Sequence, residues 1–212
     1  MRHSIPISTN FKVLKHLSVS MNGNYEEVWT GSAIKRNDYD SETGNSGNKV
    51  EIKGFDRFSQ YNFGMGVGTT IYGLFNFKKE SKIEALRHVI RPSINYSIRP
   101  SFDEYYDTYI IDANGNTAEY TRFEDNFFGL PSRAYSSSIG LQVSNNLEAK
   151  VRPKDSLAQE SKKITILNNL NFSTSYNLAS DSLKLSPVRM TGGTNLFNNK
   201  LNINLGATFD PY

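Results

Sequence analysis

The sequence predicts an all-β protein, an antiparallel up-and-down transmembrane β-barrel or a multi-strand slice of a larger barrel, over residues 1–212 as one region. Three features predict it. Apolar residues recur at every second position over very long runs, short connections alternate with long ones, and aromatics gather near the run ends. The first feature is plainest in "YNFGMGVGTTIYGLFNF", residues 61–77. There Tyr61, Phe63, Met65, Val67, Ile71, Phe75 and Phe77 share one parity, while Asn62, Gly64, Gly66, Gly68, Thr70 and Asn76 share the other. Side chains of a strand alternate sides, so the run describes a strand between two solvents. It far exceeds the roughly five or six residues of an ordinary soluble strand.

About eight such segments follow one another, starting near Ile5, Leu17, Phe55, Leu86, Tyr135, Ile164, Leu183 and Leu201. In the second, Leu17, Val19, Met21, Tyr25 and Trp29 alternate with Ser18, Ser20, Asn22, Asn24 and Glu26. The fourth runs through "RPSINYSIRP", with Pro92, Ile94, Tyr96 and Ile98 against Arg91, Ser93, Asn95, Ser97 and Arg99. The fifth sets Ile139, Leu141, Val143, Leu147, Ala149 and Val151 against Ser138, Gly140, Gln142, Ser144 and Glu148. Leu170, Phe172 and Tyr176, then Leu201, Ile203, Leu205 and Phe209, carry the apolar side of later segments. A helix competes only in "SKIEALRHVI", where Ser81 and Glu84 have capping-box spacing. Pro92 limits it to one short turn before the strand.

Short links are expected at 14–16, 78–82, 153–163 and 198–200, with a tight turn at 179–182. Between them lie long, acidic, Tyr-rich loops at 35–54 and 101–134. Short turns at one end and long loops at the other are the pattern of an outer-membrane barrel. Aromatics reach 12%, with Tyr 12 and Phe 13. Tyr25, Trp29, Tyr61, Phe77, Tyr96, Tyr135, Tyr176 and Phe209 lie near segment ends, as interface girdles do. A soluble β-sandwich is the alternative, but it uses shorter strands and charges its wet face. Here the polar parity is dominated by Asn, Ser, Thr, Gly and Gln.

With Cys 0, disulfides and cysteine-based metal or redox sites are excluded, and a dispersed net charge of +3 does not suggest nucleic acid. No run approaches the ~20 apolar residues of a membrane helix. The start "MRHSIPISTNF" has no apolar core of a signal peptide, so an exported chain is expected to be part of a longer precursor.

"GMGVG", residues 64–68, is no dinucleotide loop, because its glycines recur every second residue and no helix follows. They project to the polar face, where they allow strong bending or close approach by a plug or another domain. Asp38, Asp40 and Glu42, and Asp112, Asn114 and Asn116, invite calcium. Both lack the glycine and closing glutamate of a calcium loop, so a solvated loop and an Asn114-Gly115 hairpin turn are the plainer readings, and no metal site is assigned. Arg87, Arg91 and Arg99 share inward parity on one strand, and Lys150 and Arg152 on the next. These five are the candidate contacts to anionic phosphates, with pairing to lumen acids such as Glu148 as the alternative. His3, His16 and His88 are isolated, so neither catalysis nor a cofactor is expected. "NYS" and "NFS" match the glycosylation sequon but fall inside predicted strands.

"IEALRHVIRPSINYSIRPSFDEYY" and "YNLASDSLKLSPVRMTGGTNLFNNKLNINLGATFDPY" resemble the barrel region of the lipopolysaccharide-assembly outer-membrane family LptD. The likeness is to its divergent branch, in which Arg87, His88, Pro92, Tyr96 and Pro100 mark one strand pair. "LEAKVRPKD" with "KKITILNNLNFSTSYNLASDSL" is similar to the family's next hairpin. The resemblance implies a Gram-negative outer-membrane location and non-enzymatic insertion of lipopolysaccharide into the outer leaflet. It implies a barrel plugged by an LptE-like lipoprotein, surrounded by outer-membrane lipid and fed by periplasmic lipopolysaccharide-bridge proteins. The chain lacks the jelly-roll segment and has too few strands for the whole barrel, so it reads as an internal slice. A porin or small-molecule channel is the alternative function. A barrel enzyme would need a Ser/His or Asp/His constellation near the rim.

Overall fold

The computed structural model describes residues 1–78, 80–153, 161–196 and 200–212. The strands are β1 (Arg2–Val13), β2 (Leu17–Arg36), β3 (Lys49–Thr69), β4 (Ile71–Asn76) and β5 (Ile83–Arg99). A 3₁₀ turn, Asp103–Tyr105, precedes the hairpin β6 (Tyr106–Ile110) and β7 (Thr117–Thr121). Then come β8 (Ser136–Val151), β9 (Lys162–Asn177), β10 (Val188–Leu196) and β11 (Leu201–Phe209). One sheet runs β1-β2-β3-β5-β8-β9-β10-β11 with β4 beside β5, and β6–β7 forms a separate two-stranded sheet. The fold is all-β, as a slice of a barrel requires. Among the described residues the hydrogen-bonded path ends at β1 and β11, and Pro6 stands on the first of these edges, where its missing N–H is tolerated.

Contacts divide the chain into two compact units. One comprises residues 9–21, 65–97 and 137–212. In it Val143 stands opposite Phe172, Phe172 opposite Met190, and Met190 opposite Ala207. The next rows pair Gln142 with Ser173, Ser173 with Arg189 and Arg189 with Thr208, then Ser144 with Asn171, Asn171 with Thr191 and Thr191 with Gly206. Opposed residues share a face, so apolar and polar rows alternate through four strands. Leu141, Ile164, Ile166, Leu205 and Phe209 on the apolar face are exposed.

Proline explains the interruption of the long third strand. Phe77 N–H donates to Glu84 O, and the β4–β5 register sets Ile71 opposite Ile90, which makes Ile71, Gly73, Phe75 and Phe77 the bonded rungs. The next bonded rung would place Thr69 opposite Pro92, which has no N–H to give. The ladder breaks at Thr70. The helical alternative at 81–90 is not adopted, because Ile83 already pairs as strand.

The other unit comprises residues 1–8, 22–64 and 98–136. Its core is Val28, Phe58 and Phe123 with Tyr105 packed against them. Two sequence boundaries are corrected here. The first long loop is 37–48 rather than 35–54, because β2 runs to Arg36 and β3 starts at Lys49. The exposed apolar residues switch parity across Gly54, from Val50 and Ile52 to Phe55 and Tyr61, which hid the start of β3. The second, 101–134, is not an open loop but holds the 3₁₀ turn and the β6–β7 hairpin. In the first-described unit, the strand expected near Leu183 starts at Val188, because Leu183 has φ 48 and cannot continue a strand. The links expected at 78–82, 153–163 and 198–200 fall partly outside the described residues.

Candidate functional site: the polar face and its basic residues

The polar parity of β3 explains the glycines of residues 64–68. A Cβ on Gly66 would lie 2.6 Å from Asn95 Oδ1 and 2.7 Å from Ser20 Oγ. One on Gly64 would lie 2.6 Å from Asn22 Oδ1. Side chains from the flanking strands thus lie over Gly64 and Gly66. Ser18, Ser20, Gly66, Gly68, Ser93 and Asn95 line most of a groove of about 420 Å³. Phe11, Val19, Val67 and Lys12 also line it, so hydroxyl and amide groups stand there beside apolar surface and one cation.

The basic candidates separate into two groups. Arg87 Nη1 lies 3.5 Å from Glu148 Oε2, and its guanidinium sits 5.4 Å from the Tyr72 ring centre. Lys150 Nζ lies 2.7 Å from Glu84 Oε1, and the other oxygen of that carboxylate accepts from Ser161. Arg87, Lys150 and Lys163 line a cavity of about 140 Å³ with Leu74 and Glu148, three cations against one carboxylate. Lys163 was missed by sequence reasoning, yet it stands opposite Lys150 in the β8–β9 register, a signal that strand pairing alone supplies. Arg91, Arg99 and Arg152 have no carboxylate partner among the described residues and do not join this cluster. Arg152 meets the β5 side through its backbone, N–H to Lys82 O at 3.0 Å, and its charge also acts on the Glu84 carboxylate. The pairing of Arg87 with Glu148 matches the alternative reading of these residues. His88 Nε2 lies 3.1 Å from Asn145 Oδ1.

The second unit carries a folded strap. Residues 101–135 bring Phe123 and Tyr105 onto Phe58, ring centres 4.9 and 5.9 Å away. Polar ties surround this core. Arg36 reaches Glu124 at 3.0 Å, Lys49 reaches Asp125 at 2.8 Å, and Arg122 reaches Asp56 at 2.7 Å. Ser59 N–H donates to the Tyr105 hydroxyl at 2.9 Å, and Ser132 N–H to Gln60 Oε1 at 3.1 Å. Within the strap Arg133 bridges Asp103 and Glu119. The Arg133 hydrogen bond holds Glu119 below its usual pKa. Asp103 is lowered chiefly by the Ser101 hydroxyl and further by Arg133.

Asp38, Asp40 and Asp112, among the loop carboxylates considered for calcium, accept hydrogen bonds within the protein. Asp38 accepts from Ile110 N–H, Asp40 from Glu42 N–H and the Thr43 hydroxyl, and Asp112 from Asn114 and Asn116. Asp112 thereby closes the β6–β7 turn, with Gly115 at φ 80 as the hairpin reading requires.

An open antiparallel sheet with one exposed apolar face and one face of small polar residues is what a segment of a β-barrel presents. The family model described as LptD protein matches residues 1–212, and the chain belongs to that family. Comparison with curated proteins and with solved structures gives no match.

Proposed function

We propose that this chain is part of the outer-membrane translocon that inserts lipopolysaccharide into the outer leaflet, a transport role without bond-making chemistry. The observation that carries the reading is the row alternation across β8 to β11. Val143, Phe172 and Met190 suit contact with lipid, while Gln142, Ser173, Ser144 and Asn171 suit a hydrated passage for sugar. Membership in the LptD family supports lipopolysaccharide as the cargo. In this reading the cationic cavity at Arg87, Lys150 and Lys163 meets glycolipid phosphate, and an LptE-like lipoprotein and periplasmic lipopolysaccharide-bridge proteins are the partners.

Depletion of the full-length protein in its own cells tests this. The expected outcome is loss of newly made lipopolysaccharide from the cell surface, read by impermeant labelling, with its accumulation inside the envelope. Normal surface delivery after depletion would overturn the reading. A small-molecule channel would instead show as ion conductance in planar bilayers with surface lipopolysaccharide unchanged.

A further inference from the structure

β4 has one partner, β5, and on its other side it has none among the described residues. The cause is local. β3 is flanked on that side by the β1–β2 hairpin, whose turn at Leu14–His16 stops level with the end of β3, where Thr69 Oγ1 donates to His16 O at 2.8 Å. β4 continues past that turn for six residues, about 20 Å at the rise of a strand. Whatever pairs with the outer edge of β1 lies two strands away and does not cover it.

The edge is chemically explicit. Ile71, Gly73, Phe75 and Phe77 spend their backbone groups on β5, so Tyr72, Leu74 and Asn76 turn N–H and C=O toward the empty side. Both faces of β4 are apolar and exposed: Tyr72 at 64% and Leu74 at 65% on one, Ile71 at 50% and Phe75 at 58% on the other. An exposed apolar edge is a template for strand pairing that proteins ordinarily blunt with charge or proline, and β4 carries neither. Cations mark its two limits, Lys15 in the adjoining turn and Lys78 just after the strand.

We propose that the free edge of β4 is a strand-addition site for an extended segment of a partner protein, apolar at alternate positions and acidic at its ends. Backbone hydrogen bonds to Tyr72, Leu74 and Asn76 supply the pairing, and the apolar side chains on both faces supply buried area. Lys15 and Lys78 select the acidic ends. The inference is independent of the cargo and of which end of the sheet faces the cell.

The test uses the full-length protein in lipid vesicles and a synthetic eight-residue peptide of alternating valine and threonine with glutamate at each end. Amide hydrogen exchange is read residue by residue. Before peptide, the Gly73 and Phe75 amides are protected and those of Tyr72, Leu74 and Asn76 are not; with peptide, the second set becomes protected. Leu74→Pro removes an edge N–H that β5 does not use, so it leaves Gly73 and Phe75 protected and weakens peptide binding about tenfold or more. Leu74→Ala keeps the amide and retains most of the binding. Absence of peptide binding, equal binding by Leu74→Pro, or protection of all three edge amides by the vesicle alone would overturn the proposal, the last meaning that lipid covers the edge.

Discussion

Val143 stands directly opposite Phe172 in the β8–β9 ladder, and one residue along the same strand Gln142 stands opposite Ser173. Adjacent residues therefore belong to different surfaces, and the rows extend to Met190 and Arg189 on β10. Side-chain identity follows the row rather than the neighbour in sequence. This makes the two faces separable by single substitutions.

Leu141 and Gln142 give the sharpest comparison. Leu141 lies on the apolar parity and is 42% exposed, while Gln142 lies in the polar row with Ser173. An arginine on a lipid-facing site near mid-depth costs about 2–4 kcal/mol, whereas one on a hydrated lumen face costs little. Leu141→Arg is expected to reduce folding yield into vesicles severely, and Gln142→Arg to fold nearly as well as the parent. Equal losses at the two positions would contradict the two-solvent arrangement.

The glycine at 66 is required by its neighbours rather than by its backbone angles. Gly66→Ala drives a methyl into Asn95 Oδ1 and Ser20 Oγ, the tips of two exposed side chains that can turn aside, so the cost is expected to be about 1 kcal/mol or less. Gly31 has nothing within 4 Å, so Gly31→Ala should change stability by less than about 0.5 kcal/mol. Urea midpoints in vesicles measure both. Adding both Asn95→Ala and Ser20→Ala to Gly66→Ala should recover much of the loss, because both clash partners are then gone.

Most of the architecture was legible because two unlike faces write a period of two into strands as long as β8 and β9. What escaped has particular causes. At Gly54 the outward parity shifts, so Val50 and Ile52 read as loop residues although they belong to β3. The strap is folded by contacts such as Phe123 on Phe58 and Arg36 on Glu124, 88 residues apart in sequence, which no local pattern encodes. Lys163 became a member of the basic cavity only through its register with Lys150. Arg91 and Arg152 share a parity with Arg87 and Lys150 but not the cavity, because parity fixes a face and not a depth along the strand.

The Arg133 clip predicts an acid response of the strap. Asp103 and Glu119 have folded pKa values below their ordinary 3.8 and 4.5. Their contribution is therefore present above the ordinary values and lost as pH falls through the lowered folded ones. A spin label on Asp107→Cys should stay immobile from about pH 7 to pH 5 and gain mobility below about pH 4. Arg133→Gln should loosen the label already at neutral pH and flatten the acid step. An unchanged acid step in that variant would mean that groups outside the Arg133 clip, such as the Ser101–Asp103 hydrogen bond, govern the strap.

Phe123 is where the strap is fixed by packing rather than by charge. Its ring is 2% exposed, lies against Phe58 and Tyr105, and carries the Arg122 guanidinium 4.9 Å from its centre. Truncating a buried phenylalanine costs about 3–5 kcal/mol, more than surface ion pairs such as Lys49–Asp125 return at about 0–1 kcal/mol. Phe123→Ala should therefore release residues 101–135 while the ion-pairing residues all remain. Limited proteolysis of the folded protein in vesicles reads this directly. Cleavage inside 101–135 should rise at least tenfold, with the fragments still held in the sheet and the vesicle-protected strands intact. Lys49→Ala, which removes the exposed pair with Asp125 and leaves half-buried Glu124 still held by Arg36, should leave the cleavage rate nearly unchanged. If Lys49→Ala opens the strap as much as Phe123→Ala, charge and not the Phe58–Tyr105–Phe123 cluster holds it down.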